Sequence, residues 1–240
     1  MIPWIIKCFK INVSMHKSQS INFFRFFYVF IFLMMASTVT FAHTINYAME
    51  QAPTGNVIWY YLKLGYRHII PDGFDHILFV IGLCLLSNKI KVIFWQATAF
   101  TVAHSITLAM SMKSIIVAPP DIVEPIIALS IVFVAIENLL LKELKPWRII
   151  LVFMFGLIHG MGFASSLNEI GLPRNKFATS ILSFNLGVEL GQVTIILLMF
   201  ALIISRFGNK DWYKRRIVYP LSIIIALIAS FWTLERVINM

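Results

Sequence analysis

The chain has 240 residues, 59% of them hydrophobic and only 13% charged, and its mean hydropathy is +0.83. Soluble domains are about 45–50% apolar, so composition excludes an ordinary water-soluble globule and leaves apolar surface for lipid. The formal charge of +9 sits in short clusters between apolar runs, which is how membrane topology is written. It is read as orientation, with no nucleic-acid partner.

In chain order, residues 26–42 (FFYVFIFLMMASTVTFA) follow Lys17 and Arg25 and end in small residues. Thr40 and Ala42 occupy the −3 and −1 positions of a signal cleavage site. Residues 1–42 are therefore expected to be an N-terminal extension with a signal peptide or, if uncleaved, an anchor helix. Residues 43–68 are expected to be an exported segment, in which NVIWYYLKLGYRHII forms an amphipathic helix at the outer surface. Pro71 and Gly73 then interrupt the chain as it enters the bilayer.

Apolar runs follow at about 69–86, 90–112, 122–141, 148–167, 178–204 and 217–235. At 1.5 Å per residue such runs cross, or nearly cross, about 30 Å of hydrocarbon. The expected fold class is an all-α integral membrane protein, a six-helix transmembrane bundle over residues 69–240. The connections SNKIK, LKELKPWR and SRFGNKDWYKRR hold ten lysines and arginines, against six on the opposite side. The positive-inside rule places the first set in the cytoplasm and both mature termini outside. The two cysteines, Cys8 and Cys84, give no disulfide framework and no thiolate metal site.

Depth then selects the polar residues that need a reason. An ionised side chain at the bilayer centre costs about 2.5–3.5 kcal/mol on insertion scales. His104, His159 and Glu189 lie near the middle of their runs, too deep to snorkel, while Asp75 and His76 lie in the outer part of the first. Asn185, Glu189 and Gln192 recur at i, i+4 and i+7, one helix face. Asp75, His76, His104, His159 and Glu189 are accordingly read as ligands of one intramembrane cation. Asp72, Ser105, Glu137, Asn138, Asn185 and Gln192 are read as pathway or supporting groups, with Glu137 and Asn138 extending the track toward the cytoplasm. Imidazole with carboxylate and no thiolate suits Ni²⁺, Co²⁺, Zn²⁺ or Fe²⁺. A permease is the first reading. The alternative is a membrane-embedded zinc-dependent hydrolase in which Ser105 joins the histidines; HExxH and the Walker GxxxxGK[ST] motif are absent from the sequence.

The motifs GFDHILF, TAFTVAHSITL, IALSI..AIEN, FGLIHGMGFA and FNLGVELGQ occur in this order. With them the chain resembles the HupE/UreJ family of hydrogenase and urease accessory membrane proteins over about residues 60–200. The resemblance implies a permease of the bacterial cytoplasmic (inner) membrane that supplies nickel, or cobalt, to metallocentre assembly. Its partners would be the bilayer and the transition-metal ion, with room for a homo-oligomer. In the better-known branch the first-helix motif has His-Pro before Gly-x-Asp-His. Here Ile69 follows His68 and the proline falls at Pro71, so this chain resembles a second branch. His68 stays outside the ligand set that the resemblance carries over.

Overall fold

The structure, a computed structural model, describes residues 46–141 and 143–239. The expected signal or anchor segment, residues 1–42, lies outside the described residues. Among the described residues the chain is 82% helical with no strand. The helices are α1 (Tyr47–Gln51), α2 (Thr54–Ile69), α3 (Phe74–Leu85), α4 (Ile90–Met112), α5 (Pro120–Leu140), α6 (Arg148–Gly162), α7 (Ala164–Ile170), α8 (Phe177–Met199) and α9 (Tyr219–Ile238). A π-helical turn, Phe200–Ile204, carries α8 on to Phe207, and a second, Lys214–Val218, leads into α9.

Five segments are long and apolar enough to cross a membrane: Ile90–Met112, Pro120–Leu140, Arg148–Ile170, Arg174–Phe207 and Lys214–Ile238. A sixth is counted if α2 and α3, which meet at a 69° bend, form one broken span. The expected first span, residues 69–86, is thus not a single membrane-length helix. Its helical part is the 12-residue α3, about 18 Å long at 1.5 Å per residue. The cause is local: Pro71 has no N–H to continue the α2 ladder, and the chain restarts only after Gly73.

The helices pair lengthwise, α2 along α8, α4 along α6 and α5 along α9, while α3 seats against α5 and α8. α2 buries Val57, Tyr61, Gly65 and Ile69, one face at a four-residue spacing. Its Tyr61 hydroxyl donates to the Gly171 carbonyl at 2.8 Å. Close approach to α8 depends on Gly187, where an added Cβ would stand 2.1 Å from the Leu62 carbonyl oxygen. Small residues at such crossings are the usual device of membrane helices. The outward faces carry exposed apolar stripes at helical spacing: Leu129, Phe133 and Ile136 on α5, and Leu182, Leu186 and Leu190 on α8. That is where the excess hydrophobicity of the composition goes.

Candidate metal-ion site

Four imidazoles converge inside the bundle. His76 near the start of α3, His104 of α4 and His159 of α6 are all buried, at 3%, 0% and 1% exposure. The His68 ring, from the last turn of α2, joins them. Ring centres stand 4.7 Å apart for His68 and His76, 5.2 Å for His76 and His159, and 6.1 Å from His104 to either His68 or His76. The bend between α2 and α3 makes this possible, because it folds the last turn of one helix back over the first turn of the next.

Close approach of α4 and α6 seats His104 and His159 in the same cluster, each facing His76. An added Cβ at Gly160 would stand 2.3 Å from both the His104 carbonyl oxygen and the Thr107 hydroxyl. Only a residue without a side chain lets α6 sit this deeply against α4. Aromatic rings close the cluster: Phe163 covers His68 at 3.8 Å between centres, Phe184 stacks on Phe163 at 5.1 Å, and Phe100 lies 4.9 Å from His159.

The hydrogen-bond network assigns the tautomers of two rings. His159 Nδ1 stands 2.8 Å from the Phe155 carbonyl oxygen, which accepts only, so Nδ1 carries the proton. Asn185 donates through Nδ2 to the Ile181 carbonyl at 2.8 Å. Its Oδ1 therefore accepts from His104 Nδ1, at 3.1 Å. Both rings are left with a bare lone pair on Nε2. His104 Nε2, His159 Nε2, His68 Nε2 and His76 Nδ1 are all buried without a hydrogen-bond partner. A buried lone pair with nothing to accept is costly, and a ring whose other nitrogen is anchored is how metal-ligating histidines are held. Asp75 sits half-buried beside them; its Oδ1 accepts the His76 backbone N–H at 2.8 Å, and the carboxylate is in electrostatic reach of His76 and His159.

The fit to a dication is partial. Two imidazoles sharing one ion at about 2.0–2.1 Å per nitrogen hold their ring centres about 4.5–5.2 Å apart when cis and about 6.4 Å apart when trans. The His68–His76 and His76–His159 spacings meet the cis range; those to His104 lie beyond it, short of the trans limit. Among the described residues no group of three or more His, Cys, Asp or Glu side chains is already arranged around one point as the ligands of a closed site.

Other expected site residues lie elsewhere. Glu189 receives the Thr98 hydroxyl on Oε1 at 2.7 Å, and Gln192 meets Thr101 at 3.2 Å. Ser105 donates to the Thr101 carbonyl of its own helix at 2.6 Å, which leaves its proton committed. Asp72 pairs at 3.8 Å with Arg67, both largely exposed. Glu137 and Asn138 face inward but are tied down. Glu137 Oε2 lies 2.8 Å from Arg148 Nε, with the two side chains 4% and 2% exposed. Asn138 donates to the Gly82 carbonyl at 2.9 Å and accepts from Arg148 Nη2 at 3.3 Å.

Two residues were missed by sequence reasoning. His68 was set aside because Ile69 follows it where the family motif has proline, yet the bend returns it to the cluster. Arg148 was counted as a topology charge; the available signal was an inward-facing glutamate, Glu137, just ahead of an arginine that opens an otherwise apolar run.

A family model described as HupE / UreJ protein matches residues 28–236. The chain belongs to the HupE/UreJ family. This is a family of nickel and cobalt accessory membrane proteins, and with the helices described above its member here is a multi-pass membrane protein. No curated protein and no solved structure matches the chain.

Proposed function

We propose that this member of the HupE/UreJ family is a permease for a divalent transition metal, nickel or cobalt before zinc or ferrous iron. Its ion-binding station would be His76, His104 and His159 with Asp75, extended by His68. The observation that carries the reading is the set of buried imidazole nitrogens without partners on rings 4.7–6.1 Å apart. Lone pairs in oil need a Lewis acid or a proton, and a dication drawn in by Asp75 supplies the first.

The wider spacing to His104 suits an ion handed from ring to ring. A resident catalytic zinc instead requires three protein ligands fixed on one point. With no nucleotide-binding motif in the sequence, the driving force is the membrane potential, about 2.3 kcal/mol per charge per 100 mV, or a coupled proton. The proposed topology places the basic connections in the cytoplasm and the α2–α3 bend at the outer side. Residues 54–240 then form six spans if the bent pair counts as one, and 1–42 serve as signal or anchor.

The test is uptake of radiolabelled Ni²⁺ into proteoliposomes, with Co²⁺, Zn²⁺ and Fe²⁺ as competitors. Wild type is compared with His104→Ala, His159→Ala and the exposed control Leu182→Ala. Uptake that survives in wild type and control and is abolished in both histidine variants supports the reading. Equal uptake in all four sinks it, as does wild-type protein that moves no metal.

A further inference from the structure

The polar groups that stand apart from the histidines occupy one seam. Glu189 and Gln192 of α8 meet α4 through two crossed contacts: Thr98 donates to Glu189 Oε1 at 2.7 Å, and the Thr101 hydroxyl lies 3.2 Å from Gln192 Oε1. On α4, Thr101 and Thr98 precede His104 by about 4.5 and 9 Å of helix axis at 1.5 Å per residue. Beyond them Gln96 lines a cavity of about 780 Å³ at the end of the bundle where the basic connections gather. The three long side chains each end in an atom with no partner: Glu189 Oε2, Gln192 Nε2 and Gln96 Oε1. The three atoms are themselves buried; Gln96 and Gln192 are 3% and 1% exposed, while Glu189 as a residue is half-buried. Glu189 Oε2 and Gln96 Oε1 are oxygens that a cation can use, on helices that run between the histidine cluster and that cavity.

We propose that this seam is the second part of the ion's route. A dication leaving the histidine cluster passes the Glu189 carboxylate and the oxygens of Thr101 and Gln192, and enters the basic-end cavity past Gln96. The proposal rests on the reading that the cluster binds the ion. Carboxylate, hydroxyl and amide oxygens hold a borderline dication more loosely than imidazole does, so the ion steps from a tight station to a weaker one. The cavity it reaches does not retain it: Lys89, Lys145, Lys210 and Lys214 outnumber Glu143 and Asp211 on its wall. The path expected from the sequence, along Glu137 and Asn138, is blocked by Arg148, whose guanidinium occupies both side chains.

The test measures equilibrium binding of radiolabelled Ni²⁺ to purified protein and initial uptake into proteoliposomes, for wild type, Glu189→Gln, Gln192→Leu and Glu189→Asp. Binding is expected to stay within about two-fold of wild type in every variant, while uptake falls about ten-fold or more in Glu189→Gln and Gln192→Leu and recovers in part in Glu189→Asp, because conduction needs each successive site to be occupied in turn. Wild-type uptake rates in both Glu189→Gln and Gln192→Leu overturn the route while leaving the histidine reading intact. Binding lost in step with uptake makes Glu189 a ligand of the first station and also overturns it. Wild-type protein that binds no nickel removes the underlying reading and the route together. If Glu189→Gln does not fold, Gln192→Leu and Glu189→Asp carry the test with the same expected outcomes.

Discussion

Breaking the Glu137–Arg148 pair distinguishes a structural lock from a step on an ion path. The charges stand 2.8 Å apart with both side chains under 5% exposed. At an effective dielectric of about 20 their attraction is about 6 kcal/mol, set against a desolvation cost of several kcal/mol per ion. Glu137→Ala strands a buried guanidinium, whose Nη1 already has no partner, and is expected to lower the unfolding free energy by about 3–5 kcal/mol. Replacing both partners, Glu137→Leu with Arg148→Met, removes the charges together and is expected to fall within about 1 kcal/mol of wild type. Reversible denaturation in mixed micelles over the full double-mutant cycle measures these values, and uptake assays on the same proteins supply the second readout. A structural lock predicts that the double variant regains stability and transports metal. A double variant as unstable as the two single losses summed, or one that is stable but moves no metal, refutes the reasoning and returns Glu137 to the pathway.

Three further outcomes are expected. Gly160→Ala places a methyl 2.3 Å from the His104 carbonyl oxygen, so it should cost about 1–3 kcal/mol and weaken Ni²⁺ binding, seen by denaturation and radiometal titration; unchanged affinity would show that the α4–α6 spacing does not set the site. Asn185→Leu releases His104 Nδ1 from its acceptor, and losing such a supporting partner is expected to weaken metal affinity about 10–100-fold, against no change for the lipid-facing Leu186→Ala. Tyr61→Phe removes the hydrogen bond to the Gly171 carbonyl and should cost about 0.5–1.5 kcal/mol without altering metal binding.

The amino-acid sequence by itself determined that this is a helical membrane protein and which buried groups are hard to explain without a partner. Hydrophobic run length is a local quantity, so the spans from residue 90 onward were legible along the chain; so was the isolation of His104 and His159 in hydrocarbon, since depth follows from position within a run. Which polar groups meet was not legible, because it depends on how far one helix slides and turns against another. Gly160 and Gly187 fix those approaches through space that a sequence does not display. The 69° bend brought His68 back to the cluster although the displaced proline argued against it. Glu189 turned toward Thr98, and Glu137 found Arg148 across a helix boundary. One-dimensional periodicity assigns each residue a face of its own helix; the partner on the facing helix is set by packing.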